Sequence, residues 1–342
     1  MKFVDLSHSV NLIQTPNFSG VPNLERLDLE GCTNLLEIHP SLGLLKKLII
    51  LNLKDCVNLR SLPRQMETSS LEKFILSGCS KLSKLPDFGE NMECLSVIDL
   101  SKCRSLGFLP RTLGHLTCLK SLKLSGCSKF SKLPNTLNEI TGLVLLDVSG
   151  TVMGEVPPSI VHLVKLKELY FRGCKASTSR KSYSPLRWLQ WRHQGQIPMG
   201  LVLPPSISGL SSLQKLDLGY CNLHDGSFPS DFGSLPSLEI LDLSGNHFIN
   251  LPASTISNLM QLKVLYLDCC PRLKSLPELK QVDMKPCIWM LRSLVSAYGC
   301  WCDLKPPQNG TQAEFHKRDL ECEGSIACPR AAVLKRNFNK AG

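Results

Sequence analysis

Residues 119–142 read LKSLKLSGCSKFSKLPNTLNEITG, and Leu143 starts the same pattern again. Leu119, Leu122 and Leu124 are spaced L-x-x-L-x-L, Cys127 follows, and Phe130, Leu133 and Pro134 lead into a short filler. Working outward, the opening leucine recurs at Leu24, Leu48, Leu71, Leu95, Leu119, Leu143, Leu166, Leu213, Leu238 and Leu262. Most steps are 23 to 25 residues; the step from Leu166 to Leu213 is 47. Such a period marks a stack of supersecondary units, none of which can bury its apolar face alone.

The pattern fixes the shape of one unit. Alternate residues of L-x-L share one face of a strand, so the leucines turn inward and the residues between them outward. The residues around Cys127 turn the chain, and the Leu-Pro pair stops a strand or long helix from continuing on the way back. The filler suits an irregular or single-turn helical return. The expected fold class is α/β: a solenoid with eleven or twelve strands, from Met1–Leu6 onward, in one curved parallel sheet. At about 4.8 Å per strand, the arc is on the order of 55 Å long. The long step suggests a degenerate copy at Leu186, Leu189 and Trp191.

Sixteen cysteines would suggest a disulfide scaffold in a small secreted chain. Eight of them share one repeat position: Cys32, Cys56, Cys79, Cys103, Cys127, Cys174, Cys221 and Cys270. Thr151 and Asn246 fill that slot elsewhere. A slot accepting Cys, Thr or Asn asks for a small side chain that bonds turn backbone. The thiols are therefore read as structural and reduced, as in a cytoplasmic or nuclear protein. The opening MKFVDLSHSV places Asp5 where a secretory signal needs apolar residues. No apolar run reaches the roughly 18 residues of a membrane span.

Leu24–Leu35 (LERLDLEGCTNL), Asn52–Pro63 (NLKDCVNLRSLP) and the near-copies Ser77–Pro86 and Ser125–Pro134 give the chain a family likeness. It resembles leucine-rich-repeat proteins, in the variant of plant intracellular immune receptors of the TIR-type nucleotide-binding class. The resemblance covers residues 1–277. It implies a curved horseshoe and a non-enzymatic recognition module in plant defense. The implied partners are proteins: a pathogen effector, its host target, or the receptor's own nucleotide-binding domain. Such receptors also carry a TIR domain and a nucleotide-binding domain. No G-x-x-x-x-G-K-[ST] loop occurs here, and the chain opens inside a repeat, so it reads as a fragment lacking both. A generic leucine-rich-repeat scaffold or signalling adaptor is the alternative.

Two stretches leave the pattern. Residues 175–200 carry Lys175, Arg180, Lys181, Arg187 and Arg192 with no acid, and Trp188 and Trp191 among them. They form either a degenerate repeat or a basic loop, and the loop reading offers Arg187, Trp188 and Arg192 as contacts. Residues 278–342 lose the period and are expected to form a poorly ordered tail. Cys300, Cys302, Cys322 and Cys328 there have a spacing unlike common zinc sites. No metalloprotease, hydrolase or dinucleotide motif appears, and the histidines are dispersed. No enzyme, cofactor or metal is expected. The net charge of +10 is scattered, which calls for neither nucleic acid nor membrane as a partner.

Binding is expected on the concave face, where the outward residues of each strand form columns. The central column runs Asp28, Asn52, Ile75, Asp99, Lys123, Asp147, Tyr170, Asp217, Asp242 and Tyr266. Its aspartates are expected to bond backbone of a neighbouring repeat. Ile75, Glu168, Tyr170, Arg172 and Tyr266 are the distinctive members, because exposed aromatics and arginine anchor interfaces. The arc from Glu168 to Tyr266 is the expected contact region.

Overall fold

The computed structural model describes residues 1–174, 200–251 and 256–274, and the backbone of 313–316 and 333–336. Eleven three-residue strands, from Phe3–Asp5 to Val264–Tyr266, form one sheet in chain order. Every neighbouring pair is parallel. Leu27, Leu51, Leu122 and Leu241 lie in the same inward register along with Phe74, Ile98, Leu146, Leu169, Leu216 and Leu265. The leucines of L-x-x-L-x-L are buried in repeat after repeat and belong to one continuous core. Each contributes about 1.5–3 kcal/mol of apolar burial, and the facing leucine of the next repeat supplies the cover.

The turn after each strand shows why the slot takes cysteine. The residue before it has a left-handed backbone in every repeat: six times glycine (Gly31, Gly78, Gly126, Gly150, Gly173, Gly245), otherwise His8, Asp55, Lys102, Tyr220 or Cys269. That reversal aims the next side chain inward, at the strand of the preceding repeat. Each slot thiol then donates to a backbone carbonyl one repeat back, as Cys56 does to Leu29 (3.1 Å) and Cys127 to Leu100 (3.1 Å). Asn246 donates to Leu218 O in the same way (2.9 Å). Burial pushes the Cys56 and Cys127 thiols up to about 12 and Cys174 up to about 11, which keeps them protonated as donors. All eight slot cysteines are free thiols.

The central aspartates correct the sequence expectation. Asp99, Asp147, Asp217 and Asp242 accept the N–H two residues ahead in their own turn, each at 2.9 Å. Asn52 does the same for Lys54 at 3.1 Å. The backbone of the neighbouring repeat is already engaged in the parallel ladder, so the nearest open donor is the aspartate's own turn.

On the convex side five of the described returns hold a short 3₁₀ turn: Pro40–Leu44, Arg111–His115, Asn135–Glu139, Pro158–His162 and Phe232–Ser234. In these, an apolar pair three apart, such as Leu113 with Leu116 or Leu137 with Ile140, anchors the turn to the core. Two returns lack that pair. Gln65–Met66 and Asp87–Phe88 instead run extended and pair in parallel, with Met66 and Phe88 buried.

The long step adds no strand to the sheet. Glu168–Tyr170 pairs directly with Lys215–Asp217, so no strand lies between them and the sheet has eleven members. Leu203, Ile207 and Leu210 are buried at the same distances before Leu213 as Leu133, Leu137 and Ile140 keep before Leu143. The described residues between Leu166 and Leu213 therefore make up one repeat. The degenerate copy expected at Leu186, Leu189 and Trp191 lies outside the described residues. So does most of the expected tail; Ala313–His316 and Val333–Arg336 pair antiparallel in a sheet of their own.

Candidate functional site

The arc from Glu168 to Tyr266 occupies the last four strands of the sheet. Their register places Tyr170, Asp217, Asp242 and Tyr266 in one row, two tyrosines bracketing two aspartates across roughly 14 Å, at about 4.8 Å per strand. The row behind it holds Glu168, Lys215, Ile240 and Val264. All eight side chains are half-buried, as expected for alternate residues of a shallow concave sheet.

Arg172 organises the arc. It projects across Gly219 on the next repeat, where a side chain would run into the guanidinium. From there Nη1 donates to Asp242 Oδ2 at 3.2 Å and lies 3.7 Å from Asp217 Oδ1. The guanidinium also sits 5.1 Å from the centre of the Tyr220 ring, a cation–π distance. The Tyr220 ring in turn covers Gly245, leaving no room for a Cβ there. Glycine in the neighbouring repeat is thus what lets each long side chain lie flat.

The second cluster is Tyr170. Its hydroxyl donates to Glu168, and Lys215 Nζ lies 5.0 Å over its ring. Burial, followed by the bond to Glu168, raises the Tyr170 phenol. Asp217 is pushed up to about 6, first by burial and then by the Asp242 carboxylate, against the pull of Gly219 N–H, Arg172 and Lys215. The arc carries Glu168, Asp217, Asp242 and Asp268 against Arg172 and Lys215, so its floor is acidic on a chain that is basic overall.

The structure brings together Glu168, Tyr170, Arg172 and, two strands beyond Asp217, Tyr266. It does not bring Ile75 to them. Ile75 lies between Asn52 and Asp99, four strands away from Tyr170 along the sheet. Arg187, Trp188 and Arg192 lie outside the described residues. Tyr220 was missed. Its signal was a tyrosine before Cys221 where six repeats have glycine before the slot residue.

Among the described residues no helix is long and apolar enough to cross a membrane. The family model for leucine-rich repeats (2 copies) matches residues 211–255. TMV resistance protein N of Nicotiana glutinosa is 37% identical over 303 residues, 82% of this chain and 24% of that protein. Disease resistance-like protein DSC1 of Arabidopsis thaliana is 37% identical over 285 residues, 82% of this chain and 23% of that protein. The chain thus spans about a quarter of the length of these relatives. Among solved structures, the leucine-rich repeat domain of the type III effector XopL matches with a TM-score of 0.50 and 25% identity, covering 65% of this chain and 69% of that one. The Toll–Spätzle complex of Drosophila matches with a TM-score of 0.54 and 17% identity, covering 75% of this chain and 36% of that one, a likeness of fold. The chain folds as a leucine-rich-repeat solenoid and is similar, over 82% of its length, to plant disease resistance proteins.

Proposed function

We propose that the chain is the protein-recognition module of an intracellular plant immune receptor, acting in the cytoplasm or nucleus by binding and not by catalysis. What carries this reading is the Tyr170–Asp217–Asp242–Tyr266 row on the concave sheet, in a chain similar to disease resistance proteins over most of its length. The tyrosines offer large, rigid contact area, and Arg172 holds the carboxylates between them. The acidic floor selects a protein partner that presents lysine or arginine. A pathogen effector, its host target and the receptor's nucleotide-binding domain are the partner classes.

The test measures binding of the full chain to a separately expressed nucleotide-binding domain of such a receptor and to candidate effectors. The double variant Tyr170→Ala, Tyr266→Ala should lose more than about 30-fold in affinity for whichever partner binds, with an unchanged circular dichroism spectrum. Undiminished affinity in that variant overturns the assignment of the arc. Salt should weaken the complex, because an acidic face meeting a basic one is screened.

A further inference from the structure

Two cysteines stand apart from the buried column. Among the described residues, Cys94 and Cys118 are exposed free thiols, Cys269 is half-buried, and the eight slot cysteines are buried. Cys94 and Cys118 occupy the same place in consecutive repeats, immediately before Leu95 and Leu119 and within the turns Glu93–Cys94 and Thr117–Cys118.

The pairing register stacks them. Val97 lies opposite Ser121, and the N–H groups of Lys120 and Ser121 both bond the Ser96 carbonyl, at 2.9 and 3.0 Å. Cys94 precedes Val97 by as many residues as Cys118 precedes Ser121, so the same register carried back three residues aligns Cys118 with Cys94. Neighbouring strands are about 4.8 Å apart, inside the roughly 4.4–6.8 Å between Cα atoms that a disulfide spans. The turns of consecutive repeats approach closely at this position. A Cβ placed on Gly142, the same position one repeat further on, would lie 2.7 Å from Thr117 O and 3.8 Å from the Cys118 carbonyl carbon.

We propose that Cys94 and Cys118 form a surface dithiol that closes to an inter-repeat disulfide when it meets a small disulfide oxidant such as glutathione disulfide. One cysteine, as thiolate, attacks a sulfur of the oxidant. Its proton passes to water, a mixed protein–glutathione disulfide forms, and one glutathione thiolate leaves and is protonated. The second cysteine, deprotonated in turn, attacks the protein sulfur of that mixed disulfide. The inter-repeat S–S bond forms and the second glutathione leaves. Two protein thiols are oxidised and one glutathione disulfide is reduced to two glutathiones, so protons and electrons balance. The slot thiols do not compete, because they are buried and held protonated as hydrogen-bond donors. Closure staples two consecutive repeats at the edge of the sheet and leaves the concave arc uncovered.

The test uses the reduced full-length chain, treated with glutathione disulfide without denaturant, quenched in acid and digested for mass spectrometry. The expected result is a linked pair of peptides carrying Cys94 and Cys118, with two fewer thiols open to maleimide in the native protein. Cys94→Ser should abolish the linked pair and leave Cys118 as a stable glutathione mixed disulfide. Cys269→Ser should leave the linked pair unchanged. Mixed disulfides at both positions of the wild type without a link, or linkage of Cys118 to a cysteine other than Cys94, overturns the proposal.

Discussion

The middle of the concave face and its C-terminal arc share a backbone and a core but differ in the side chains they expose. From Lys73–Ile75 to Leu145–Asp147 the last outward position of each repeat is a serine: Ser77, Ser101, Ser125 and Ser149. From Glu168–Tyr170 onward the equivalent positions read Arg172, Gly219, Ser244 and Asp268. The serine row is short and even, with Ser125 Oγ donating to Ser101 Oγ at 3.1 Å. In the arc, long charged and aromatic side chains cross from one repeat to the next and lock there. A solenoid lets these surfaces vary independently, since each repeat contacts only its neighbours.

If both regions draw on one core, truncating the same inward leucine in each should cost the same. Leu122→Ala and Leu241→Ala remove side chains with no exposed surface. Each should destabilise by about 3–5 kcal/mol, read from urea unfolding. A markedly smaller loss at Leu241 would mean the arc rests on a looser core than the middle.

The regions should separate in binding. Tyr170→Ala or Tyr266→Ala should each weaken the partner complex by about 2 kcal/mol, roughly 30-fold. Ile75→Ala, four strands from Tyr170, should leave affinity within a factor of two if the arc is the contact region. Equal losses at Ile75 and Tyr170 would extend the interface over the whole concavity.

Asp217 gives a pH test of the arc's electrostatics. Its folded carboxyl titrates near 6, above the ordinary value of 3.8, chiefly through burial and then Asp242. The folded state therefore holds this proton more tightly than the unfolded state, and the group's contribution falls as pH rises from about 4 to 6. Asp217→Asn keeps the turn, because Asn52 accepts Lys54 N–H in the equivalent position. The variant should gain about 1–2 kcal/mol relative to wild type between pH 4 and pH 7, after allowance for the Arg172 contact that it weakens. A flat difference across that range would place the Asp217 carboxyl in a wetter setting.

The repeat period made the strands, their inward leucines and the cysteine column legible, because each follows from local spacing. The identity of the residue before Cys221 was equally visible, yet its meaning depended on Gly245 lying beneath the Tyr220 ring. That contact joins consecutive repeats and has no signature within one repeat. The same holds for Arg172, whose partners Asp217 and Asp242 come from the next two repeats. The aspartates were misassigned because a short acceptor serves its own turn before a neighbour's. The long step was ambiguous because 47 residues nearly equal two periods; the direct pairing of Glu168 with Lys215 shows that it adds no strand to the sheet.

The serine row should give the smallest effect. Ser125→Ala removes one hydroxyl from a half-buried position where Ser101 is its hydrogen-bond partner. Water can replace that bond at Ser101, so the cost in stability should stay within about 0.5 kcal/mol. Partner affinity should also hold, since the altered atom lies two strands from Glu168–Tyr170 along the sheet. A stability change above that bound would make the serine row a structural ladder like the thiols. A loss of affinity with stability intact would instead make the middle of the sheet part of the recognition surface, and the contrast between the two regions would vanish.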